Sequence, residues 1–370
     1  MKNLVTYFLL AIIFFISCNK KEDNSYKKED DKSANVVDVS YETNNKIKAT
    51  SFIEDYKIVQ LATNNDNLIF QISKVHYSNK KIYILDIPGN CVFIFNDDGV
   101  LNKKLNKRGN GPGEYIQITD FFVDEDNLLV LDYTQQAILR YDDELKFINK
   151  TNFKLFGSKF ICHNKTYWNY NEKSGQNPDY QFSSFTEKEN STQYFLSRHT
   201  TNKDQYNWAG VNVFALNNKN KYLSPRFNDT IYSISQNNIT PEFIIDFNER
   251  KFPNNEDINN YDIFDPNFSL LIKHNYYVSN KYLIFDFILN KERLFCIHDI
   301  EKNISNSGFI ENDLIKEFRF FPRWGNDDFL IEEVGSEILK EHFNSSPQFE
   351  KFIKGSEEDN PLIIIYKLKI

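Results

Sequence analysis

The stretch Lys81-Ile82-Tyr83-Ile84-Leu85-Asp86 returns 46 residues later as Asn127-Leu128-Leu129-Val130-Leu131-Asp132. Each copy is a short apolar run that ends in an aspartate, which is typical of a buried β-strand followed by a turn. The same shift relates four further pairs: Ile72 and Ile118, Phe95 and Tyr141, Asp97 and Asp143, and Leu101 and Phe147. Because one register holds along the whole segment, the sequence indicates a structural module that is repeated along the chain.

The first module contains four short strands. They are predicted near residue 72, at Ile82–Leu85, at Val92–Phe95 and at Val100–Leu105, and the turn sequence Asn96-Asp97-Asp98-Gly99 precedes the last of them. Four strands in a period of forty to fifty residues are typical of one blade of a β-propeller.

Later modules are less regular but keep the same kind of strand. The matching segments are Lys165–Tyr170, Thr230–Ile234, Pro241–Phe247, Lys281–Asp286, Arg293–Asp299 and Leu362–Tyr366. From Ile58 to Ile370, modules of roughly 46 to 55 residues give six blades. The sequence therefore predicts an all-β fold, a six-bladed β-propeller with four-stranded antiparallel blades. We expect Tyr56–Leu61 to pair with Leu362–Tyr366 and close the ring, and Glu332–Phe343 is the best candidate for a helix.

The N-terminus has the features of an export signal. Lys2 precedes an apolar run, Leu4–Ile16, that is shorter than the roughly 20 residues needed to span a bilayer as a helix. Phe15-Ile16-Ser17-Cys18 resembles the bacterial lipobox, in which the cysteine is lipidated; the alternative is an ordinary signal peptide with an incidental cysteine. The predicted division is a lipoprotein signal peptide at 1–17, lipidated Cys18 with a disordered, flexible linker at 18–50, and the propeller at 51–370.

The residues after Cys18 bear on location. Lys21-Glu22-Asp23 resembles the signal that sends some lipoproteins to the outer face of the outer membrane, although a charged linker contains such triplets anyway and Lys28-Glu29-Asp30 is another. We expect an outer membrane lipoprotein, on the cell surface or the periplasmic face, that meets the membrane through its N-terminal lipid anchor.

Charge and composition narrow the range of partners. The chain has 370 residues and a formal net charge of −8, without a basic stripe, which argues against nucleic acid as a partner. With 16% aromatic residues the chain can bury a core.

The cysteines and histidines give no clear metal signature. Cys91, Cys162 and Cys296 lie in apolar runs and are expected to be buried thiols, or one disulfide and one free thiol. The six histidines include no HExxH motif, so no metal site is predicted.

A glycine-rich segment, Lys107-Arg108-Gly109-Asn110-Gly111-Pro112-Gly113-Glu114-Tyr115, separates the two best modules. It lacks the Lys-Ser/Thr of a phosphate-binding loop. It fits a sharp connection between blades, where glycine supplies a positive φ. The alternative is a ligand role, in which Arg108, Glu114 and Tyr115 are the candidate binding residues near the axial channel.

This glycine loop, together with Asp229-Thr230-Ile231-Tyr232, Pro241 and Asn360-Pro361-Leu362, resembles a family of six-bladed β-propeller lipoproteins of Gram-negative anaerobes that are similar in shape to NHL-repeat propellers. The resemblance implies fold, export and lipidation, and brings no catalytic residues with it. Asp229-Thr230-Ile231 also resembles an acceptor for bacterial O-glycosylation, although a strand position would explain Thr230 equally well.

Two functions are compatible with these features. The first is a lipid-anchored envelope propeller that acts as a binding or scaffold module for a glycan, peptide or protein, without a cofactor. The second is a metal-dependent hydrolase or lyase, similar to a lactonase, with Ca²⁺ or Zn²⁺ held by axial acids such as Glu114, Asp120 and Asp286. Trp168, Trp208 and Trp324 could stack on sugars, but core packing explains them better.

Overall fold

The computed structural model describes residues 34–40, 44–152, 157–171, 180–187, 191–197, 212–226, 228–236, 238–253, 260–262, 265, 267–316, 318–335, 338–339, 349, 352 and 359–370. Cys18, the signal peptide and Trp208 lie outside these ranges. The described strands form six sheets, each built around four strands that pair antiparallel, so the predicted six-bladed β-propeller is confirmed.

The strands follow one another around the ring. Three N-terminal strands come first: β1 Asn35–Asp38, β2 Lys46–Lys48 and β3 Ile53–Gln60. Blade 1 contains β4 Lys74–Ser78, β5 Lys81–Asp86, β6 Cys91–Asn96 and β7 Leu101–Leu105. Blade 2 contains β8 Ile118–Asp124, β9 Asn127–Asp132, β10 Ala137–Tyr141 and β11 Phe147–Asn152. Blade 3 contains β12 Lys159–His163, β13 Thr166–Tyr170, β14 Tyr180–Thr186 and β15 Ser191–Ser197.

Blade 4 contains β16 Phe214–Leu216, β17 Lys221–Leu223, β18 Thr230–Ile234 and β19 Ile239–Asp246. Blade 5 contains β20 Lys273–Val278, β21 Tyr282–Leu289, β22 Glu292–Asp299 and β23 Ile304–Glu311. Blade 6 contains β24 Trp324–Asn326, β25 Phe329–Val334 and β26 Leu362–Leu368, with β3 as its fourth strand. Short 3₁₀ turns lie at Ala49–Ser51 and Asn248–Arg250.

The repeated stretches are the second strands of their blades, β5 and β9, as the sequence predicts. The first strand of blade 1 begins at Lys74, two residues later than the predicted strand near Ile72. Ile72 is nevertheless buried in the core between blades 6 and 1. The innermost strand is therefore shorter than the apolar pattern suggests.

Blade 6 closes the ring as predicted. β3 pairs antiparallel with β26, with Val59 opposite Ile363 and Tyr56 opposite Tyr366. An N-terminal strand thus completes the last blade, and the apolar residues of β26 are buried on both faces. Without β3, this strand would become an open edge.

The predicted flexible linker at 18–50 extends too far towards the C-terminus. β1 pairs in parallel with β19 and adds a fifth strand to blade 4, and β2 does the same with β23 on blade 5. Val37 and Ile47 are buried in these additions. The two strands are three and four residues long, too short for an apolar period to show in a polar context.

The prediction of a helix at Glu332–Phe343 is wrong at the N-terminal end of that segment. Glu332 lies inside β25 and pairs with Ile364. Ile338 and Leu339 are helical, and residues 336–337 and 340–343 lie outside the described ranges. The sheet ladder outweighs the local helix preference of these residues.

The core lies between neighbouring blades, where apolar side chains from adjacent sheets pack together. Cys91, Cys162 and Cys296 are buried in three different interfaces as free thiols, which confirms the first of the two expectations. Burial raises the pKa of the Cys296 thiol to about 12. These thiols are packing residues.

Candidate functional site

The two ends of the propeller differ in their connections. In a four-stranded antiparallel blade, the connection between strands 2 and 3 and the connection to the next blade both lie at one end. We call this the loop end, because the long segments 198–213, 247–272 and 335–361 all join strands there. At the opposite end, the turn end, connections are as short as residues 79–80, 164–165 and 327–328. Long connections on one face of a rigid scaffold are where proteins usually carry binding residues.

A small cavity of about 70 Å³ lies on the axis between the innermost strands. Its polar lining consists of Ser73, Lys74, His76, Asp120, Lys159, Asn212 and Asn326. Such a volume holds a few water molecules and is far below the roughly 300 Å³ of a small-molecule site. Burial and the charges of Lys74 and Lys221 lower the pKa of His76 to about 3, so its ring is neutral. A ligand as large as a typical small molecule must therefore bind outside this cavity.

Asp120, a candidate catalytic acid, joins three blades at this cavity. Its Oδ1 accepts from Lys74 Nζ of blade 1 at 2.7 Å, and its Oδ2 accepts from the backbone N–H of Phe160 of blade 3 at 2.9 Å. Because both of its oxygens accept hydrogen bonds from neighbouring blades, Asp120 is placed to hold the inner strands together.

The other two candidate acids lie elsewhere. Asp286 accepts from Arg293 Nε at 2.7 Å and from the backbone N–H of Asn275, within blade 5. Glu114 lies in the glycine loop between blades 1 and 2. The structure thus does not bring the three acids together. Within the described ranges, no group of three or more His, Cys, Asp or Glu side chains is arranged to hold a metal ion.

The glycine loop is built by hydrogen bonds within itself. Glu114 Oε2 accepts from the Gly111 N–H at 2.8 Å, and a Cβ on Gly109 would lie 2.0 Å from the same oxygen. Gly113 has φ +74°, and a Cβ there would lie 2.6 Å from Phe147 Cβ. The reading of this segment as a sharp connection that needs glycine is confirmed at Gly113.

The three candidate binding residues of this loop differ in accessibility. Tyr115 is fully buried, and its hydroxyl contacts the Lys107 N–H and the carbonyls of Asn90 and Leu105. Arg108 is exposed and Glu114 is half-buried. None of the three is among the described residues that line the axial cavity. Arg108 is the member of the set that a ligand can reach.

The described tryptophans belong to the core. Trp168 is completely buried and packs on Phe195, with 4.9 Å between ring centroids. Trp324 is buried in the innermost strand of blade 6. Thr230 begins β18, so the position that resembles a glycosylation acceptor is a strand residue.

An apolar group on the loop end is visible only in the structure. Phe70, in the connection from blade 6 to blade 1, is 74% exposed, and Leu68 and Ile87 nearby are also exposed. The backbone N–H of Phe70 donates to Asp86 Oδ2 at 2.9 Å, which fixes this connection against the turn that carries Ile87. An exposed aromatic ring on a backbone that is held in place is a common feature of binding surfaces.

A row of alternating side chains leads into the innermost strand of blade 6. Arg319, Phe321 and Arg323 are exposed, while Phe318, Phe320 and Pro322 between them are buried. The guanidinium of Arg293 lies 3.8 Å from the Phe321 ring centroid, and that of Arg319 lies 4.9 Å from it. The alternation over 318–323 is the sequence signal that could have identified this surface.

No helix among the described residues is long and apolar enough to cross a bilayer. Fold and site together define a six-bladed β-propeller whose long connections gather at one end. More narrowly, a family model for a domain of unknown function, DUF4934, matches residues 34–367, and the chain belongs to that family. The sequence matches no curated protein at a significant level.

Two solved structures from Bacteroides share the architecture. A candidate exported protein of Bacteroides fragilis is 18% identical, with a TM-score of 0.71 over 90% of this chain and 100% of its own. A member of the DUF4221 family from Bacteroides vulgatus is 11% identical, with a TM-score of 0.52 over 86% of this chain and 97% of its own. At these identities the likeness shows the fold.

Proposed function

We propose that this protein is a lipid-anchored envelope propeller, of the kind that resembles NHL-repeat propellers, and that it serves as a binding or scaffold module for a glycan, peptide or protein. The observation that carries the proposal is the exposed Phe70 on the end that bears all the long connections. The axial cavity is too small for such a ligand, and the loop end, with its exposed aromatic ring and the longest connections, supports binding outside it.

The test compares two exposed apolar side chains at opposite ends. Ile304, 61% exposed, begins β23 at the turn end and is the matched control for Phe70. A photo-crosslinking amino acid is placed at either position in cells. We expect covalent adducts with one envelope component from position 70 and none from position 304.

Competition makes the result specific. Excess unlabelled wild-type protein should suppress the adduct, whereas the Phe70→Ala variant should compete poorly because the ring contributes about 1.5 to 3 kcal/mol when it is buried in a complex. Adducts that form equally from both positions, or that Phe70→Ala suppresses as well as wild type does, would contradict a binding surface at the loop end.

Location rests on the sequence. The apolar run Leu4–Ile16, followed by Ser17-Cys18, supports lipidation, and the description of the Bacteroides fragilis relative is in keeping with export. We expect the Cys18→Ser variant to lose incorporation of a labelled fatty acid and to leave the membrane fraction. Equal labelling of wild type and variant would show that Cys18 is not the lipidated residue.

A further inference from the structure

No described strand covers the outer edge of blade 6, which lies beside a cavity larger than the axial one. Blades 4 and 5 are each extended by a parallel fifth strand, β1 or β2, but no described strand pairs with the outer edge of β3. A cavity of about 580 Å³ runs along this edge, lined by residues 57–63, Asp97, Asp98, Phe352 and Asp359. Its volume lies within the range of ligand sites.

The backbone of β3 shows which groups face the cavity. The Tyr56 N–H donates to the side chain of Asp55, and the Gln60 carbonyl faces Gly99, where a Cβ would lie 1.9 Å from the oxygen. Because neighbouring residues of an antiparallel strand alternate between the partner strand and the free edge, Tyr56, Ile58 and Gln60 point their amide groups outward. The Tyr56 N–H is taken up by Asp55, and the turn of blade 1 covers the far end of this edge, where the Ala62 N–H donates to the Gly99 carbonyl at 2.9 Å. Among the described residues, the Tyr56 carbonyl, the N–H and carbonyl of Ile58 and the Gln60 N–H remain to pair with a short additional strand.

The charge of the lining selects the occupant. Lys57 Nζ is paired with Asp97 Oδ2 at 3.1 Å, which leaves Asp98 and Asp359 without an ion pair in the described part of the chain. The described lining of the cavity therefore contains one basic and three acidic side chains, next to backbone groups that can bind extended chain. A peptide with alternating basic and apolar residues satisfies both requirements, because one face of a strand can meet the carboxylates while its backbone pairs with β3.

We propose that the outer edge of β3 is an acceptor site for an extended basic peptide, which adds to blade 6 as a fifth strand in the way that β1 and β2 add to blades 4 and 5. This site lies at the rim between blades 6 and 1 and does not depend on the loop-end surface, so either proposal can fail alone.

The probe is a synthetic heptapeptide of alternating lysine and valine, titrated into the full-length protein. We expect saturable binding, slowed hydrogen exchange at the amides of Ile58 and Gln60, and no binding of the glutamate-valine peptide. A lysine-valine peptide that is N-methylated on its backbone should also fail, because it cannot donate to the edge.

Variants separate charge from backbone pairing. Asp98→Asn and Asp359→Asn should each weaken binding about threefold, and together about tenfold, as expected for partly exposed ion pairs. The matched control is Glu144→Gln, which lies at the equivalent turn of blade 2, 46 residues from Asp98, and should leave affinity unchanged. Ile58→Pro should abolish binding by removing an outward donor, and hydrogen exchange at Ile363 reports whether blade 6 stays closed.

Absence of binding at millimolar peptide overturns the proposal. Binding that resists both aspartate substitutions, or that leaves exchange at Ile58 and Gln60 unchanged, also overturns it, because the peptide would then be held elsewhere. None of these outcomes affects crosslinking from position 70, so the crosslinking experiment tests the loop-end surface independently of the β3 edge.

Discussion

The Val59→Pro variant is expected to open the ring at blade 6. Val59 is 2% exposed and lies opposite Ile363 in the pairing of β3 with β26. Proline at this position removes an amide that faces β26, leaves an acceptor of β26 unpaired and discards a buried side chain. Together these effects amount to about 3 to 5 kcal/mol. Against a typical total stability of about 5 to 15 kcal/mol, the loss is severe.

Ile58→Pro is the matched control, because the amide of Ile58 points to the free edge, where proline is tolerated. We expect it to cost about 1 kcal/mol, within the usual range for a single substitution. Urea unfolding measures both variants, and hydrogen exchange at Ile363 and Ile365 shows whether the loss is local to the closure. Equal destabilisation by the two prolines would mean that blade 6 is not held shut by this ladder.

The repeat could be predicted because turn chemistry recurs with it. Asp86 Oδ2 accepts from the Phe70 N–H and Asp132 Oδ2 from the Ile116 N–H, and each aspartate also caps the turn that follows it. The aspartate that ends each copy therefore fixes the incoming connection from the previous blade. A residue that makes the same local hydrogen bonds in each blade recurs at a fixed spacing in the sequence and can therefore be recognised.

The polar contacts of the innermost strands could not be predicted from the repeat. Lys74 and Asp120 occupy equivalent positions, 46 residues apart, yet one is basic and the other acidic because they pair with each other across the blade boundary. Asn326 Nδ2 donates to the Tyr77 carbonyl at 2.7 Å, across 249 residues of sequence. Contacts of this kind depend on how the ring closes, which no local pattern records.

The glycine loop contains one glycine whose role was predicted from the sequence and one whose role was not. Gly113 is needed for its positive φ, as the pattern predicts, whereas a side chain at Gly109 would only have to displace the carboxylate of Glu114. The same arrangement turns Glu114 towards the loop backbone instead of a ligand. A motif that is distinctive in sequence can thus owe its residues to packing.

Glu332 connects the blade 6 closure to pH. It is 1% exposed; its Oε2 accepts from the Phe321 N–H at 2.8 Å and from the Tyr366 hydroxyl, while its Oε1 is buried without a hydrogen-bond partner. Burial raises the pKa of Glu332 to about 7, although Arg319 and Arg293 act in the opposite direction. The folded protein therefore prefers the protonated, neutral form of this carboxyl group.

The sign of the resulting pH dependence follows from proton binding. Between the unfolded pKa of about 4.5 and the folded value of about 7, the folded state binds a proton that the unfolded state has lost, so stability falls as pH rises. The full loss is about 3 kcal/mol. Glu332→Gln cannot titrate, so the difference in unfolding free energy, wild type minus variant, should decrease by that amount between pH 4.5 and pH 8.

Urea unfolding across this pH range tests the expectation, with the exposed Glu311→Gln as a control that keeps the wild-type slope. Subtracting the unfolding free energy of Glu332→Gln from that of wild type at each pH cancels the titration of every other group. The change of this difference with pH is therefore the diagnostic quantity, whereas a constant difference reflects how well glutamine fits the site. Parallel curves for wild type and Glu332→Gln would mean that the carboxylate is stabilised in the fold as well as it is in water. Because Glu332 accepts from the backbone N–H of Phe321, deprotonation of Glu332 should also shift the amide resonance of Phe321. Phe321 belongs to the exposed row that leads into blade 6, so the effect should be seen at that surface.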